Sequence, residues 1–315
     1  MVIIGSSNAR VGLEAGMELL RAGKSAIDAV EAAILPVESN LEDHSVGLGG
    51  LPNMLGEVEL DASIMDGYTL AAGAVGGIHG FEHPISIARR VMSDLPHSLL
   101  IGPGAERFAR ECGFPEVNLL TDEARRIYEA GIRGDSSDDS RYASKILKAL
   151  VGRLALDPNR ASGKDTGTVN VIAVDRDGHM AVGVSTSGFA WKYPGRVGDS
   201  AIIGAGNYCD ERYGGAGCTG RGEMAIRAAT AHSVVMHLRA GLTPEEAGRR
   251  AMEELDHLVD PYWSAMNCVV LTPDERHAAF STVPNTTYVY MTDESTGVEQ
   301  APRELVPITG SRNPS

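Results

Sequence analysis

Asp165-Thr166-Gly167-Thr168 runs without a break into Val169–Asp175 (VNVIAVD) and, past Asp177-Gly178, into His179–Ser185 (HMAVGVS). Two runs rich in β-branched residues, separated by an Asp-Gly turn, predict a β-hairpin. Thr168 then stands at the very start of its first strand, directly after a glycine. The stretch that leads there, Thr121–Lys164, is polar and charged. Within it Gly134–Ser140 (GDSSDDS) reads as flexible loop and Tyr142–Leu154 as a short helix. A long polar connection inside a compact domain usually serves function or movement.

Outward from the hairpin, each half of the chain shows the same grammar. Met1–Gly5 reads as a first strand. Val11–Ala22 and Ser25–Glu38 carry apolar residues at helical spacing, with Gly23 between them as a helix end. A glycine-rich stretch, Val46–Gly56, precedes Val58–Ile64, where apolar and acidic residues alternate as in a strand with one wet face. Pro84–Met92 and Gly104–Glu111 are again helical. Beyond the hairpin comes a second glycine-rich region, Gly195–Gly222, read as loop. Helices are expected over Glu223–Leu238 and Pro244–His257, and closing strands over Asn267–Leu271, Ala278–Thr282 and Tyr288–Thr292. Two halves that each mix strands and helices predict a layered α/β sandwich with helices outside a pair of sheets.

Composition removes several classes of function. The chain of 315 residues carries 28 Lys+Arg against 42 Asp+Glu, a formal net charge of -14, and neither half is basic. Binding to nucleic acid requires a basic face, so no nucleic-acid partner is expected. No apolar run reaches the ~18 residues of a membrane span, and Met1–Gly5 does not resemble a signal peptide. The four cysteines, Cys112, Cys209, Cys218 and Cys268, form neither a CxxC pair nor a disulfide framework. These features lead to the expectation of a reduced, cytoplasmic protein without a structural metal.

The common catalytic motifs are also missing. There is no GxxxxGK[ST], no HExxH and no GxSxG, and Gly204-Ala205-Gly206 has Cys209 where a dinucleotide loop has its third glycine. What remains is a set of threonines beside glycines: Thr168 after Gly167, Thr186 at the end of the second hairpin strand, and Thr219-Gly220. Between them lie Arg196 and Asp199. A threonine hydroxyl needs a base to act as a nucleophile. An N-terminal threonine carries one, since an α-amino group titrates near ~8 and is partly neutral at pH 7. Inside an uncut chain the same nitrogen is an amide. Cleavage at Gly167–Thr168 would therefore create the base. Thr219 with the Gly220 N–H suits an oxyanion hole, and Arg196 with Asp199 suits the carboxylate and ammonium of an amino acid. Each residue taken singly also has a structural reading: strand-forming threonines, a surface ion pair, turn glycines. His44 reads as structural, Cys218 as a small buried thiol, and Met65-Asp66 as the end of a strand.

Taken together and in order, the motifs resemble the glycosylasparaginase / isoaspartyl peptidase family, the plant-type asparaginases among N-terminal nucleophile hydrolases. The resemblance covers nearly the whole chain. It rests on Ser25–Glu31 (SAIDAVE), Ser45–Pro52 (SVGLGGLP), Leu60–Gly67 (LDASIMDG), Gly73–Gly76 (GAVG), Pro84–Arg89 (PISIAR), Gly167–Val169 (GTV), Ser185–Gly188 (STSG), Pro194–Ser200 (PGRVGDS), Ile203–Gly206 (IGAG) and Thr219–Glu223 (TGRGE). It implies a four-layer αββα sandwich and self-cleavage into an α chain, 1–167, and a β chain, 168–315, with a flexible linker over about 121–166. It also implies Thr168 as nucleophile and Thr186 as its hydrogen-bonding assistant. Arg196 and Asp199 would hold the aspartyl part of the substrate, and Thr219 and Gly220 would form the oxyanion hole. No cofactor or metal takes part, and the family suggests a homodimer of αβ units.

SVGLGGLP before LDASIMDG is more like the glycosylasparaginase branch, which points to N4-(β-N-acetylglucosaminyl)-L-asparagine as substrate. The alternative is a β-aspartyl peptidase with L-asparaginase activity; an uncut, non-catalytic scaffold is the reading from another class. Three positions depart from the family pattern. Thr166 stands where a histidine is usual, which makes it a rival nucleophile; the distance to the Asp177-Gly178 turn favours Thr168. Asn170 stands where a glycine is usual. Gly5-Ser6-Ser7-Asn8 has no aromatic residue where glycosylasparaginases carry a tryptophan near the sugar.

Overall fold

The computed structural model describes residues 1–133, 167–260 and 264–309. The elements run β1 (Val2–Ser6), α1 (Leu13–Arg21), α2 (Ala26–Glu38), β2 (Leu60–Asp66), β3 (Ala72–Ile78), α3 (Pro84–Asp94), β4 (Leu99–Ile101), α4 (Gly102–Glu111) and α5 (Asp122–Arg133). After the hairpin β5 (Val169–Val174) and β6 (Met180–Thr186) come β7 (Asn207–Asp210), β8 (Gly214–Gly220), α6 (Gly222–Ala228), α7 (Thr230–Arg239) and α8 (Pro244–Glu253). Then follow β9 (Met266–Leu271), β10 (His277–Ser281), β11 (Thr287–Thr292), β12 (Glu299–Pro302) and β13 (Glu304–Leu305).

Eight strands form one sheet in the order β12-β11-β1-β5-β6-β2-β3-β4, and five form a second, β13-β10-β9-β8-β7. Side chains alternate across each strand, so one strand feeds two cores. Val169, Val171 and Ala173 of β5 pack under α1 to α3, whereas Ile172 and Val174 pack against Val269 and Leu271 of the second sheet. On the far side, Ala216, Cys218, Cys268 and Val270 pack under α7 and α8. Three apolar layers separate four layers of structure: helices, sheet, sheet, helices. This is the expected αββα sandwich. No helix among the described residues is long and apolar enough to cross a membrane.

The expected hairpin forms, with antiparallel pairing from Val169↔Ser185 to Val174↔Met180, but its turn is the three-residue loop Arg176-Asp177-Gly178, closed by Asp175 and His179, with Gly178 at φ 84°. Four other expectations change. The alternation in Val58–Ile64 does not mark a wet face, because Glu59 and Asp61 are both buried. β2 lies inside the larger sheet, between β6 and β3, and its acidic side point toward the second sheet. Asp61 is satisfied there by the N–H groups of Gly77 at 2.8 Å and Gly198 at 2.9 Å, as a buried carboxylate must be.

The glycine-rich stretch 195–222 is not all loop, since it contains β7 and β8. A side chain at Gly217 would sit 3.0 Å from Asn170 Cβ, so glycine lets the two sheets approach closely here. The single helix expected over Glu223–Leu238 is two. Ala229 adopts φ 48°, ψ 49° between α6 and α7, and the N–H groups of Ala231 and His232 are drawn off to the carbonyls of Ala205 and Gly204. Finally, residues 122–133, placed in the linker by their polarity, form α5, anchored where Tyr128 Oη donates to Met54 O at 3.0 Å. The remaining linker, with the helix expected at 142–154 and the rival Thr166, lies outside the described residues.

Candidate active site

The two sheets bring the chosen threonines to one end of their interface. Thr168 is buried and immediately precedes β5. Continuing the Val169↔Ser185 register by one residue sets Thr168 beside Thr186, and Thr186 pairs in turn with Asp61 of β2. Across the interface, Ile172 lies against Gly215 and Asn170 against Gly217. Two further residues along each strand bring Thr168 to the level of Thr219. These placements follow from the pleat: even-numbered positions of β5 and odd-numbered positions of β8 both face the gap between the sheets.

Each threonine hydroxyl has a defined setting. Thr186 Oγ1 accepts the Gly188 N–H at 2.9 Å and donates to Ser45 O at 3.3 Å. Thr219 Oγ1 accepts from Asn267 Nδ2 at 3.1 Å, which leaves its own proton available for an oxyanion. Gly220 has φ 110°, and a Cβ on it would lie 2.0 Å from Ala265 O, so no other residue fits. Cys218 points the other way, into the core beneath the helices. His44 Nδ1 is bonded to Gly49 O at 2.8 Å. Both match their structural readings.

Arg196 and Asp199 come together as expected, but not as a surface pair. The Arg196 guanidinium lies 4.6 Å from the Phe189 ring centroid, a cation–π arrangement that fixes its plane. Asp199 is buried, and burial pushes its carboxyl up to about 7 against the opposing pull of Arg196. Its Oδ2 makes no hydrogen bond among the described residues. An incoming ammonium would supply that partner and favour the charged form.

The sign of this shift sets a pH dependence. Between about 4, the ordinary range for Asp, and about 7 the folded state keeps the Asp199 proton that the unfolded chain has lost. The stability it contributes is therefore present at low pH and lost as pH rises through 7. If Asp199 takes an ammonium, as the sequence leads one to expect, that capture would run the other way, because it would require the ionised carboxylate. Inhibition constants for L-aspartate should weaken up to about tenfold per pH unit below 7, whereas those for succinate, which lacks the ammonium, should not share that loss.

Other residues at the site escaped the sequence reading. The carbonyl of Gly167, on the bond expected to break, accepts from Asn8 Nδ2 at 3.0 Å and Ser45 Oγ at 2.8 Å. Asp43 backs both donors: Asn8 Nδ2 also reaches its Oδ2 at 2.9 Å, and Ser45 Oγ lies beside its Oδ1. The single Ser45 proton is shared between two acceptors, and negative charge growing on Gly167 O would draw it there. Ser6 Oγ donates to Asn8 Oδ1 at 2.6 Å and accepts the Asn170 N–H at 3.1 Å. The loop without an aromatic residue therefore carries the amide that grips the bond, and Asn170 helps to orient it.

Lys192 is a second omission. It is buried, donates to the carbonyls of Glu59 at 2.9 Å and Ser187 at 3.2 Å, and lies 3.8 Å from the Glu59 carboxylate. Burial pushes its amine down, against the pull of Asp61 and Glu59. It ties the loop that bears Arg196 to β2. Only the alternating acids of 58–61 hinted that a buried cation was required.

Comparison with known proteins identifies the family. A family model described as asparaginase matches residues 7–295. The chain is 38% identical over 241 residues to the isoaspartyl peptidase/L-asparaginase of Mus musculus, covering 76% of this chain and 68% of that one. It is 33% identical over 266 residues to the N(4)-(beta-N-acetylglucosaminyl)-L-asparaginase of the same organism, covering 81% and 77%. It is 41% identical over 244 residues to the plant-type L-asparaginase of Pyrococcus abyssi, covering 78% and 76%.

Proposed function

Because this chain belongs to the asparaginase family of amidohydrolases, we propose that it activates itself by cleavage at Gly167–Thr168 and then hydrolyses the side-chain amide of asparagine derivatives. The observation that carries this reading is the Gly167 carbonyl, held by Asn8 and Ser45 next to Thr168. In self-cleavage Thr168 Oγ attacks that carbonyl. The Oγ–C bond forms, the C–N bond breaks, and the nitrogen takes the hydroxyl proton. Water then hydrolyses the ester, leaving a Gly167 carboxylate and a Thr168 with a free α-amine.

In turnover that amine is the base. Thr168 Oγ adds to the substrate's amide carbonyl, and the proton passes through the α-amine to the departing nitrogen. Water clears the β-aspartyl ester and regenerates the hydroxyl. Thr219 and Gly220 stabilise the oxyanion, Thr186 orients Thr168, Arg196 takes the α-carboxylate and Asp199 the α-ammonium. No step calls for a cofactor.

The leading substrate is N4-(β-N-acetylglucosaminyl)-L-asparagine, on the strength of SVGLGGLP preceding β2. The β-aspartyl dipeptide is the second reading, favoured by the absence of an aromatic residue from Gly5-Ser6-Ser7-Asn8. Relatives of both names match the chain, and their enzyme names leave the scaffold reading without support. Side-by-side assays of the glycosyl-asparagine, a β-aspartyl dipeptide and L-asparagine separate the two. The glycosyl-asparagine is expected to give the highest kcat/KM; a preference for the dipeptide would transfer the enzyme to the second reading.

A further inference from the structure

One carboxylate joins the two arginines at the site. Glu223 Oε1 accepts from Arg196 Nε at 3.1 Å and lies 3.1 Å from its Nη2, while Oε2 lies 3.0 Å from Arg221 Nη1. Both guanidinium groups lie over the same ring, with Arg221 5.4 Å from the Phe189 centroid. Burial pushes the Glu223 carboxyl up, but the two arginines outweigh it and hold it below its ordinary value. The carboxylate is therefore charged wherever the enzyme would work.

A guanidinium offers two edges to a carboxylate, Nε with Nη2 and Nη1 with Nη2. Glu223 occupies the first. On the second edge, Nη1 faces Gly188 and Gly198, where a Cβ would come within 3.1 Å and 2.8 Å of it. Two glycines thus keep that edge approachable. Gly222 does the same where Asp199 meets Arg196: a Cβ there would lie 2.6 Å from Asp199 Oδ1 and 3.0 Å from Arg196 Nη2. Phe189 fixes the plane of Arg196, and Glu223 fixes its rotation within that plane.

We propose that Glu223 is a positioning residue for substrate capture: it holds Arg196 by its Nε edge so that the Nη edge meets the α-carboxylate. Arg221 faces the other oxygen of Glu223 as a charge pair without a hydrogen bond among the described residues, and its charge offsets the repulsion a bare carboxylate would exert on that substrate group. Asp260, 3.2 Å from Arg221 Nε, holds Arg221 in turn. This inference rests on the reading of Arg196 as the carboxylate grip.

Glu223→Gln keeps the shape and removes the charge. With L-asparagine its KM should rise about tenfold while kcat changes less than twofold. With 3-aminopropanamide, which lacks the α-carboxylate, KM should move less than twofold. Calorimetric binding of L-aspartate and of β-alanine reads the same grip without turnover, and only L-aspartate should weaken. Equal losses for the ligands with and without the α-carboxylate would mean a general structural defect and would overturn the proposal, as would no loss for either. A wild-type protein that binds L-aspartate over β-alanine but hydrolyses neither amide would defeat the proposed function and leave this assignment standing.

Discussion

Thr168→Ala is expected to remain one uncut chain and to lose amide hydrolysis by at least about 10³-fold, the order found when a nucleophile is removed from a covalent mechanism. The variant loses two things at once. Without Oγ there is no attack on Gly167, so the α-amine is never freed; without Oγ there is also no group to carry the β-aspartyl ester. Thr168→Ser separates these effects, because it keeps the hydroxyl and should cut more slowly but detectably. Denaturing electrophoresis reads the first effect and release of aspartate the second. Stability should change little, since Thr168 precedes β5 and Val169–Val174 supply the apolar contacts of that strand. A Thr168→Ala protein that cuts itself would place the nucleophile elsewhere, with Thr166 as the next residue to replace.

Asn8→Ala and Ser45→Ala should each slow self-cleavage by about 10²-fold, the usual cost of removing one oxyanion donor. Both donate toward Gly167 O, and attack by Thr168 turns that oxygen from a carbonyl into an alkoxide. Hydrogen bonds to charged acceptors are about twice as strong as neutral ones, so the donors favour the transition state over the resting peptide. The double variant should be slower than either single variant. Asn8→Asp should be the slowest of the single variants, because it sets a second carboxylate beside Asp43 and against the developing negative charge. The half-time for appearance of the two chains after rapid purification measures all of these. Cleavage at the wild-type rate in Asn8→Ala and Ser45→Ala alike would show that the clamp has no part in the cut.

The parts of this account that are legible in the sequence are those set by short-range periodicity. The hairpin follows from an Asp-Gly turn between two β-branched runs, but its register does not: a two-residue turn would pair Val169 with Thr186, whereas the three-residue loop Arg176-Asp177-Gly178 sets Thr168 there. Thr219, Arg196 and Asp199 stand out because they lie in ordered motifs. What escapes is set by contacts between distant parts of the chain. Asn8 and Ser45 meet Gly167 across 159 and 122 residues, and no local pattern records such a contact.

Glu59 and Asp61 look like a wet face because alternation reports two faces of a strand but not what covers the second. β8 looks like loop because glycine has little β-propensity; its value lies in what it lets approach, Asn170 on the opposite sheet. The break at Ala229 is likewise tertiary, imposed by the carbonyls of Gly204 and Ala205 on an otherwise helical run.

The most direct test of the central claim is the intact mass of the wild-type protein after prolonged incubation, with amino-terminal sequencing of the products. The expected result is two chains, residues 1–167 and 168–315, the second beginning Thr-Val-Asn-Val. Persistence of the full-length chain, or a new amino terminus at Thr166, would contradict it.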